Sequence, residues 1–506
     1  MMTTLLALSA LATAVVQAQA QAQAQTFTVN TSSSTAWQHH WEESVGSGHA
    51  ALTTRADWRA HLTRCAQELG VKRTRFHGLL DDDFSISMQE GAPDYVNLDS
   101  LVDFHLSIGM EPLFEVSFMP SWLATNKSQT VCHYKGITSP PTDYAKWGAI
   151  VHDMVAHLYG RYGANHTFMF EVWNEPNGGF FTPGDLSDAT KLAAYLQLYR
   201  TTADAVKAAS AGAYLVGGPA TAGCPSQWLD ALVTENVVNG TAVDFMSCHA
   251  YGGGSDLNTT GNVHGLGTDA LRQHAAKVGK GTGVPTVLTE WSSSWSFNNG
   301  YHDHVASAPF IIDAVGHLDV DISSYWTFSD VFEEGTLIPV PFHGGFGLLT
   351  IHGTPKPAYR AFELLHGTGK MRYGVSASGG DGGGGACATD AGVLATSLPG
   401  GGGMRVFLYN HPATFGTPGA NCTIVVGGTG VGPTTPYRHS RIDAANANPV
   451  AAWVAMGRPT YPTAPQLAAL EAASELRWSN APATTQSGEL AFDVPANGMV
   501  VVDVLG

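Results

Sequence analysis

Between residues 37 and 366 the chain alternates eight times between a short apolar run with strand character and a longer segment whose apolar positions recur at helical spacing. Repeated strand–helix units bury their strands in a parallel sheet covered by helices, and eight is the count at which such a sheet closes. The strand runs are Trp37–Glu43, Arg73–Gly78, Glu111–Phe118, Phe168–Trp173, Tyr214–Pro219, Asp244–His249, Pro285–Trp291 and Ile322–Phe328, with Gly46 and Gly48 expected to form a sharp turn after the first. Helical stripes fall at Asp57–Leu69, Leu98–Ile108, Tyr144–Tyr162, Leu192–Ala209, Trp228–Val238, Thr268–Val278, Ser307–Leu318 and Lys356–His366. An open, doubly wound sheet has the same alternation, but no Gly-x-Gly-x-x-Gly follows an early strand as its dinucleotide site requires. The expected fold is therefore α/β, a (β/α)8 TIM barrel over residues 37–370.

Beyond residue 370 the pattern changes. The glycine tract Gly379–Gly385 and the turn Gly400–Gly403 punctuate short strand candidates at Met404–Asn410, Cys422–Val426 and Met499–Val504. Residues 371–506 read as a small β-sandwich-like accessory domain, with Gln466–Glu475 as its lone helix. The Thr-rich segment 26–36 is expected to be extended and to pair with that domain's sheet. Residues 1–25 read as a secretory leader: an apolar run from Leu5 to Val16 followed by Ala–Gln repeats offering several cleavage points. The run is shorter than the roughly 20 residues that span a bilayer, so stable membrane insertion is not expected.

With 25 Lys and Arg against 42 Asp and Glu, the formal charge of −17 disfavours a nucleic-acid groove or an anionic membrane partner and leaves soluble, uncharged substrates open. Six cysteines suit an oxidising compartment, and Cys387 and Cys422 are the plausible pair in the C-terminal region. Acceptor triplets for N-linked glycans begin at Asn30, Asn126, Asn165, Asn239, Asn258 and Asn421. The expectation is a secreted, extracellular glycoprotein.

Two strand runs end in glutamate. Phe168–Trp173 runs into Asn174-Glu175-Pro176, where the proline keeps Glu175 out of a helix; Val284–Thr289 ends at Glu290. In a parallel barrel the C-terminal strand ends share one rim, so these carboxylates can face one ligand. Paired carboxylates suit glycosidic cleavage: one donates a proton to the departing oxygen, and the other attacks the anomeric carbon. Asn174 beside the first glutamate can orient the sugar or the nucleophile. Trp291 after the second offers either a sugar-facing ring or core packing.

Several stretches carry a resemblance to a known family. They are Arg75-Phe76-His77-Gly78-Leu79-Leu80, Phe170-Glu171-Val172-Trp173-Asn174-Glu175-Pro176-Asn177, Ser247-Cys248-His249-Ala250-Tyr251, Thr289-Glu290-Trp291, Ser324 to Glu334, and His343 to Leu349. The chain resembles glycoside hydrolase family 39, most of all its β-xylosidases, with α-L-iduronidase as the related alternative. The resemblance implies a retaining hydrolase that releases β-D-xylose from the non-reducing end of xylooligosaccharides or β-xylosides, a xylan 1,4-β-xylosidase. It puts Glu175 at the acid/base position and Glu290 at the nucleophile position. It offers His77, Asn174, His249, Tyr251, Trp326, Glu333 and Glu334 as sugar contacts, with Phe328 packing beneath Trp326. Where the family carries His-Asp-Asp, this chain has Asp81-Asp82-Asp83, a departure that bears on the glycone.

No cofactor and no metal is expected: the histidines lack a His-Glu-x-x-His motif, and no tight Cys/His/Asp cluster specifies a metal geometry. Ser-His-Asp chemistry lacks its Gly-x-Ser-x-Gly elbow. A noncatalytic carbohydrate-binding protein is the alternative from another class, since it would keep the tryptophans without the catalytic geometry.

Overall fold

A computed structural model describes residues 23–252, 268–378, 386–412, 419–432, 435–482 and 488–506. Residues 1–22 of the leader, the glycine tract at 379–385 and Asn258 lie outside the described residues. The chain divides into two compact units, one of residues 38–367 and 447–475, the other of 1–37, 368–446 and 476–506.

The larger unit is a closed, all-parallel barrel of eight strands: β1 (Ser44–His49), β2 (Arg73–His77), β3 (Glu111–Val116), β4 (Met169–Val172), β5 (Leu215–Thr221), β6 (Phe245–Tyr251), β7 (Thr286–Ser292) and β8 (Ile322–Tyr325). Closure is made where β8 pairs with β1, Ser324 opposite Ser44. The helices between strands follow local rules. Tyr144–Tyr162 begins where Asp143 accepts from the Ala145 and Lys146 amides, at 2.8 and 3.2 Å, and it turns Trp147, Val151, Met154, Val155 and Leu158 inward on one stripe. Pro357 opens the helix that follows β8, Pro357–His366, where its missing N–H costs nothing.

One strand differs from expectation. The first barrel strand is Ser44–His49 rather than Trp37–Glu43, and Gly46 and Gly48 lie within it rather than in a turn. Glycine is needed there for space: a Cβ on Gly46 would overlap Trp326 Cε3, and one on Gly48 would sit 2.8 Å from Leu52 Cδ1. Inside the barrel, Leu113, Met169, Phe245 and Val287 close the lower end as an apolar layer. Phe76, Phe114 and Phe170 point the other way, with Phe114 and Phe170 stacked at 5.0 Å.

The smaller unit is a nine-stranded sheet curled around its own core, which includes Phe27, Val406, Leu408, Ile424, Val494, Val500 and Val502. Gln23–Ala36 lies within the sheet, antiparallel to Met371–Ser378 and parallel to Cys422–Gly427. Cys387 and Cys422 are joined by a disulfide. The helix expected at Gln466–Glu475 is present as Ala464–Ser474, but it is not a lone helix and does not belong to this unit. It and Pro449–Ala455 pack in the barrel unit, where Trp453 and Leu470 meet Phe342, Arg64 binds Glu471 at 2.6 Å, and Arg360 Nε donates to Ser474 O at 2.8 Å. Among the described residues no helix is long and apolar enough to cross a membrane.

Candidate active site

Strand alternation lines the upper barrel with polar side chains. Arg75 and His77 come from β2, Glu115 from β3, Glu171 from β4, Ser247, His249 and Tyr251 from β6, and Thr289 and Glu290 from β7. Such groups are tolerated in a dry interior only when paired, and here each has a partner. Fully buried Arg75 is the hub. Its Nε donates to Glu171 Oε2 at 2.5 Å, Nη1 to Glu290 Oε1 at 2.6 Å, and Nη2 to Asn174 Oδ1 at 2.9 Å, with Glu115 Oε2 at 2.8 Å. Ser247 and Thr289 hydroxyls complete Glu171 Oε1 at 2.5 and 2.8 Å. Burial opposes the Arg75 charge, but Glu171, Glu115 and Glu290 hold it protonated, well above its ordinary value.

His77 is held by the same network. Its Nδ1 lies 2.5 Å from Glu115 Oε2, and its Nε2 lies 3.2 Å from Glu334 Oε1. Burial alone would lower its pKa, yet Glu115 and the bond to Glu334 raise it to about 10. Burial would push Glu115 up, and His77 with Arg75 carries it below the ordinary glutamate range.

Above this layer the two strand-end glutamates meet. His249 Nδ1 is 2.9 Å from Glu175 Oε1 and 3.4 Å from Glu290 Oε2, and the Tyr251 hydroxyl donates to Glu290 Oε2 at 2.6 Å. One oxygen of each glutamate and one nitrogen of His249 all lie within 4.8 Å of one another. Burial pushes the Glu290 carboxyl above its ordinary value; His249, Arg75 and His77 oppose the rise, and Glu175 adds to it. Glu175 follows β4 on a strained turn, with φ of 69° at Trp173 and 39° at Glu175, left-handed conformations that cost a non-glycine residue about 1–3 kcal/mol. Among the described residues, Glu175, His249 and Glu290 are the group whose ligand atoms stand close enough to hold a metal ion, but Arg75 already sets its positive charge against Glu290.

Trp326, just past β8, forms a wall: its ring lies 4.9 Å from His77 and 5.9 Å from Phe332. Glu333 pairs with His49 Nδ1, whose Nε2 bonds Asp83 Oδ2 at 2.6 Å and whose ring stacks on Tyr134 at 3.9 Å. The structure thus brings together Glu175, Glu290, His77, Asn174, His249, Tyr251, Trp326 and Glu334, and places Glu333 beside them through His49. Of the two alternatives for Trp291, the structure shows core packing: it lies on Tyr325, Phe310 and Phe362. The register irregularity between Leu288 and Trp291 turns both Thr289 and Glu290 inward and the next residue outward. One reading needs correction. Phe328 packs edge-on against Trp58 at 5.2 Å rather than beneath Trp326. Sequence reasoning missed Arg75, Glu115, Glu171 and His49 as site residues. The available signal was a charge in mid-strand, as in Phe170-Glu171-Val172 and Phe114-Glu115-Val116, which a buried strand accepts only with a partner.

The family model for glycosyl hydrolases family 39 matches residues 28–491. The chain belongs to this family. As a family 39 glycosyl hydrolase it aligns with a β-xylosidase of Caldicellulosiruptor saccharolyticus at 35% identity over 470 residues, 90% of this chain and 92% of the relative. A solved family 39 enzyme from Xanthomonas axonopodis pv. citri superposes with a TM-score of 0.78 at 28% identity, covering 97% of this chain and 99% of the other. A family 39 β-xylosidase from Caulobacter crescentus superposes with a TM-score of 0.76 at 28% identity, covering 96% and 100%.

Proposed function

We propose that this enzyme is a retaining β-xylosidase that releases β-D-xylose from the non-reducing end of xylooligosaccharides or β-xylosides by double displacement. The observation that carries the reading is the approach of Glu175 and Glu290, with an oxygen of each within 4.8 Å. So close an approach accords with the roughly 5–5.5 Å separation of retaining pairs better than with the about 6.5–9.5 Å of inverting pairs. The specific glycone is supported by the β-xylosidases among the relatives; an α-L-iduronide has less support.

Glu290 is the nucleophile in this reading. Both of its oxygens accept from donors, Nη1 of Arg75 and the hydroxyl of Tyr251, an arrangement made for an ionised, acceptor-only carboxylate. Its oxygen attacks the anomeric carbon as the glycosidic C–O bond breaks, and Glu175 passes a proton to the departing oxygen. Water then enters, gives that proton's replacement to Glu175 and displaces Glu290, so the configuration is inverted twice. Asn174, His77, His249, Trp326, Glu333 and Glu334 hold the sugar, the ring of Trp326 against its C–H face.

The test is the anomer first formed, followed by NMR: β-xylose is expected, and initial α-xylose overturns retention. Glu290→Gln is expected to lower turnover by about three orders of magnitude or more while binding persists. Unchanged turnover removes Glu290 from the mechanism, whereas wild-type protein that binds β-xylosides without turning them over leaves the noncatalytic sugar-binding reading.

Export is part of the proposal, supported by the apolar leader and by the disulfides Cys224–Cys248 and Cys387–Cys422. Glycan acceptors Asn30, Asn126, Asn165, Asn239 and Asn421 are exposed. Intact mass before and after glycan removal, with N-terminal sequencing of the secreted protein, checks both; an N-terminus beyond Gln23 would delete residues that pair with Cys422–Ile424.

A further inference from the structure

The turn carrying Glu175 is gripped at its backbone and at its carboxylate, and the two grips meet at one cross-link. The Glu175 amide donates to Ala220 O at 2.8 Å. Asn177 and Ala222 exchange a reciprocal pair, Asn177 Nδ2 to Ala222 O at 3.0 Å and the Ala222 amide to Asn177 Oδ1 at 2.9 Å. These bonds fasten the turn to the end of β5 and the residue after it. The carboxylate is fastened separately, by His249 Nδ1 at 2.9 Å. Cys224, just beyond Ala222, is disulfide-bonded to Cys248, the residue before His249. Trp173, Glu175 and Ala220 all hold left-handed φ, at 69°, 39° and 52°, which non-glycine residues keep only where their surroundings over-determine them.

We infer that the Cys224–Cys248 disulfide is a positioning element for Glu175. It ties the segment that holds the backbone of the turn to the strand that holds its side chain, so that the proton-bearing oxygen stays registered against Glu290. A staple that only resists unfolding would stabilise the fold without touching the proton-transfer step. The inference rests on the reading of Glu175 as general acid.

The experiment compares kcat/KM over aryl β-xylosides, from dinitrophenyl to phenyl, for wild type, Cys224→Ser/Cys248→Ser and Glu175→Gln. Because kcat/KM reports the steps up to glycosidic bond cleavage and not the later hydrolysis of the glycosyl-enzyme, a displaced acid costs most where the leaving group needs a proton. The double variant is expected to lose about tenfold or more on phenyl β-xyloside and less than about twofold on the dinitrophenyl substrate, a weaker version of the Glu175→Gln tilt. A flat profile for the double variant beside a tilted Glu175→Gln overturns the positioning role alone. A flat Glu175→Gln profile overturns the acid role and this inference with it. Should the double variant fail to fold, Asn177→Ala cuts the same fastening from the other side, with the same tilt expected and a flat profile again overturning it.

Discussion

At the scale of single residues, Arg75 carries the most weight, because three buried carboxylates, Glu115, Glu171 and Glu290, depend on it. Arg75→Met is expected to destabilise the protein by about 3–5 kcal/mol, the cost of leaving buried charges unpaired, and urea unfolding measures it. The same substitution has a signature in the pH profile. Burial already places Glu290 above the ordinary 4.5, so the acid limb of kcat/KM, where Glu290 becomes protonated as the pH falls, is expected above that value. Arg75 is one of the groups pulling Glu290 down, so its removal moves the limb further up; a limb unmoved in Arg75→Met counts against Glu290 as the titrating group. Both glutamates were legible as strand-ending acids, and the charges inside β2, β3 and β4 were visible as anomalies. Their partners were not, since Arg75 meets Glu171 and Glu290 across 96 and 215 residues of sequence.

At the scale of elements, legibility followed how local the cause was. Tyr144–Tyr162 was readable to its ends because its stripe lies within the segment and the groups that bound it, Asp143 and Gly163, are its immediate neighbours. The first strand was not. Ser-Val-Gly-Ser-Gly-His has neither bulk nor β-branched alternation, and its small residues answer to Trp326 and Leu52, which cross it in space. Gly46→Ala tests this account: the added methyl must displace Trp326, so a loss of about 1–3 kcal/mol is expected in thermal unfolding, together with a raised KM for a β-xyloside. An alanine variant with native stability and KM would mean that Gly46 is there for backbone freedom instead. The helix Ala464–Ser474 makes the same point from the other direction, since its existence was readable and its placement was decided by Arg64, Arg360 and Phe342 far upstream.

At the scale of the whole molecule, the chain leaves and re-enters its units. The smaller one is assembled from the N-terminal strand and two later stretches, so cross-links between distant strands matter to it. Cys387→Ser/Cys422→Ser frees a loop of sequence separation 35 and is expected to lower the stability of that unit by about 2–4 kcal/mol, read from the denaturant midpoint; no shift would mean the thiols are unpaired in the folded protein. The sequence by itself determined the alternation that makes a barrel, the helical stripes, and two acids at strand ends, because each depends on side chains within a few positions of one another. Only the tertiary structure decided that the sheet closes, that Glu175 and Glu290 come within 4.8 Å, that Cys224 finds Cys248, and that residues 447–475 join the barrel unit. Those outcomes depend on strand register and on packing summed over the whole core, and no stretch of the chain contains that sum.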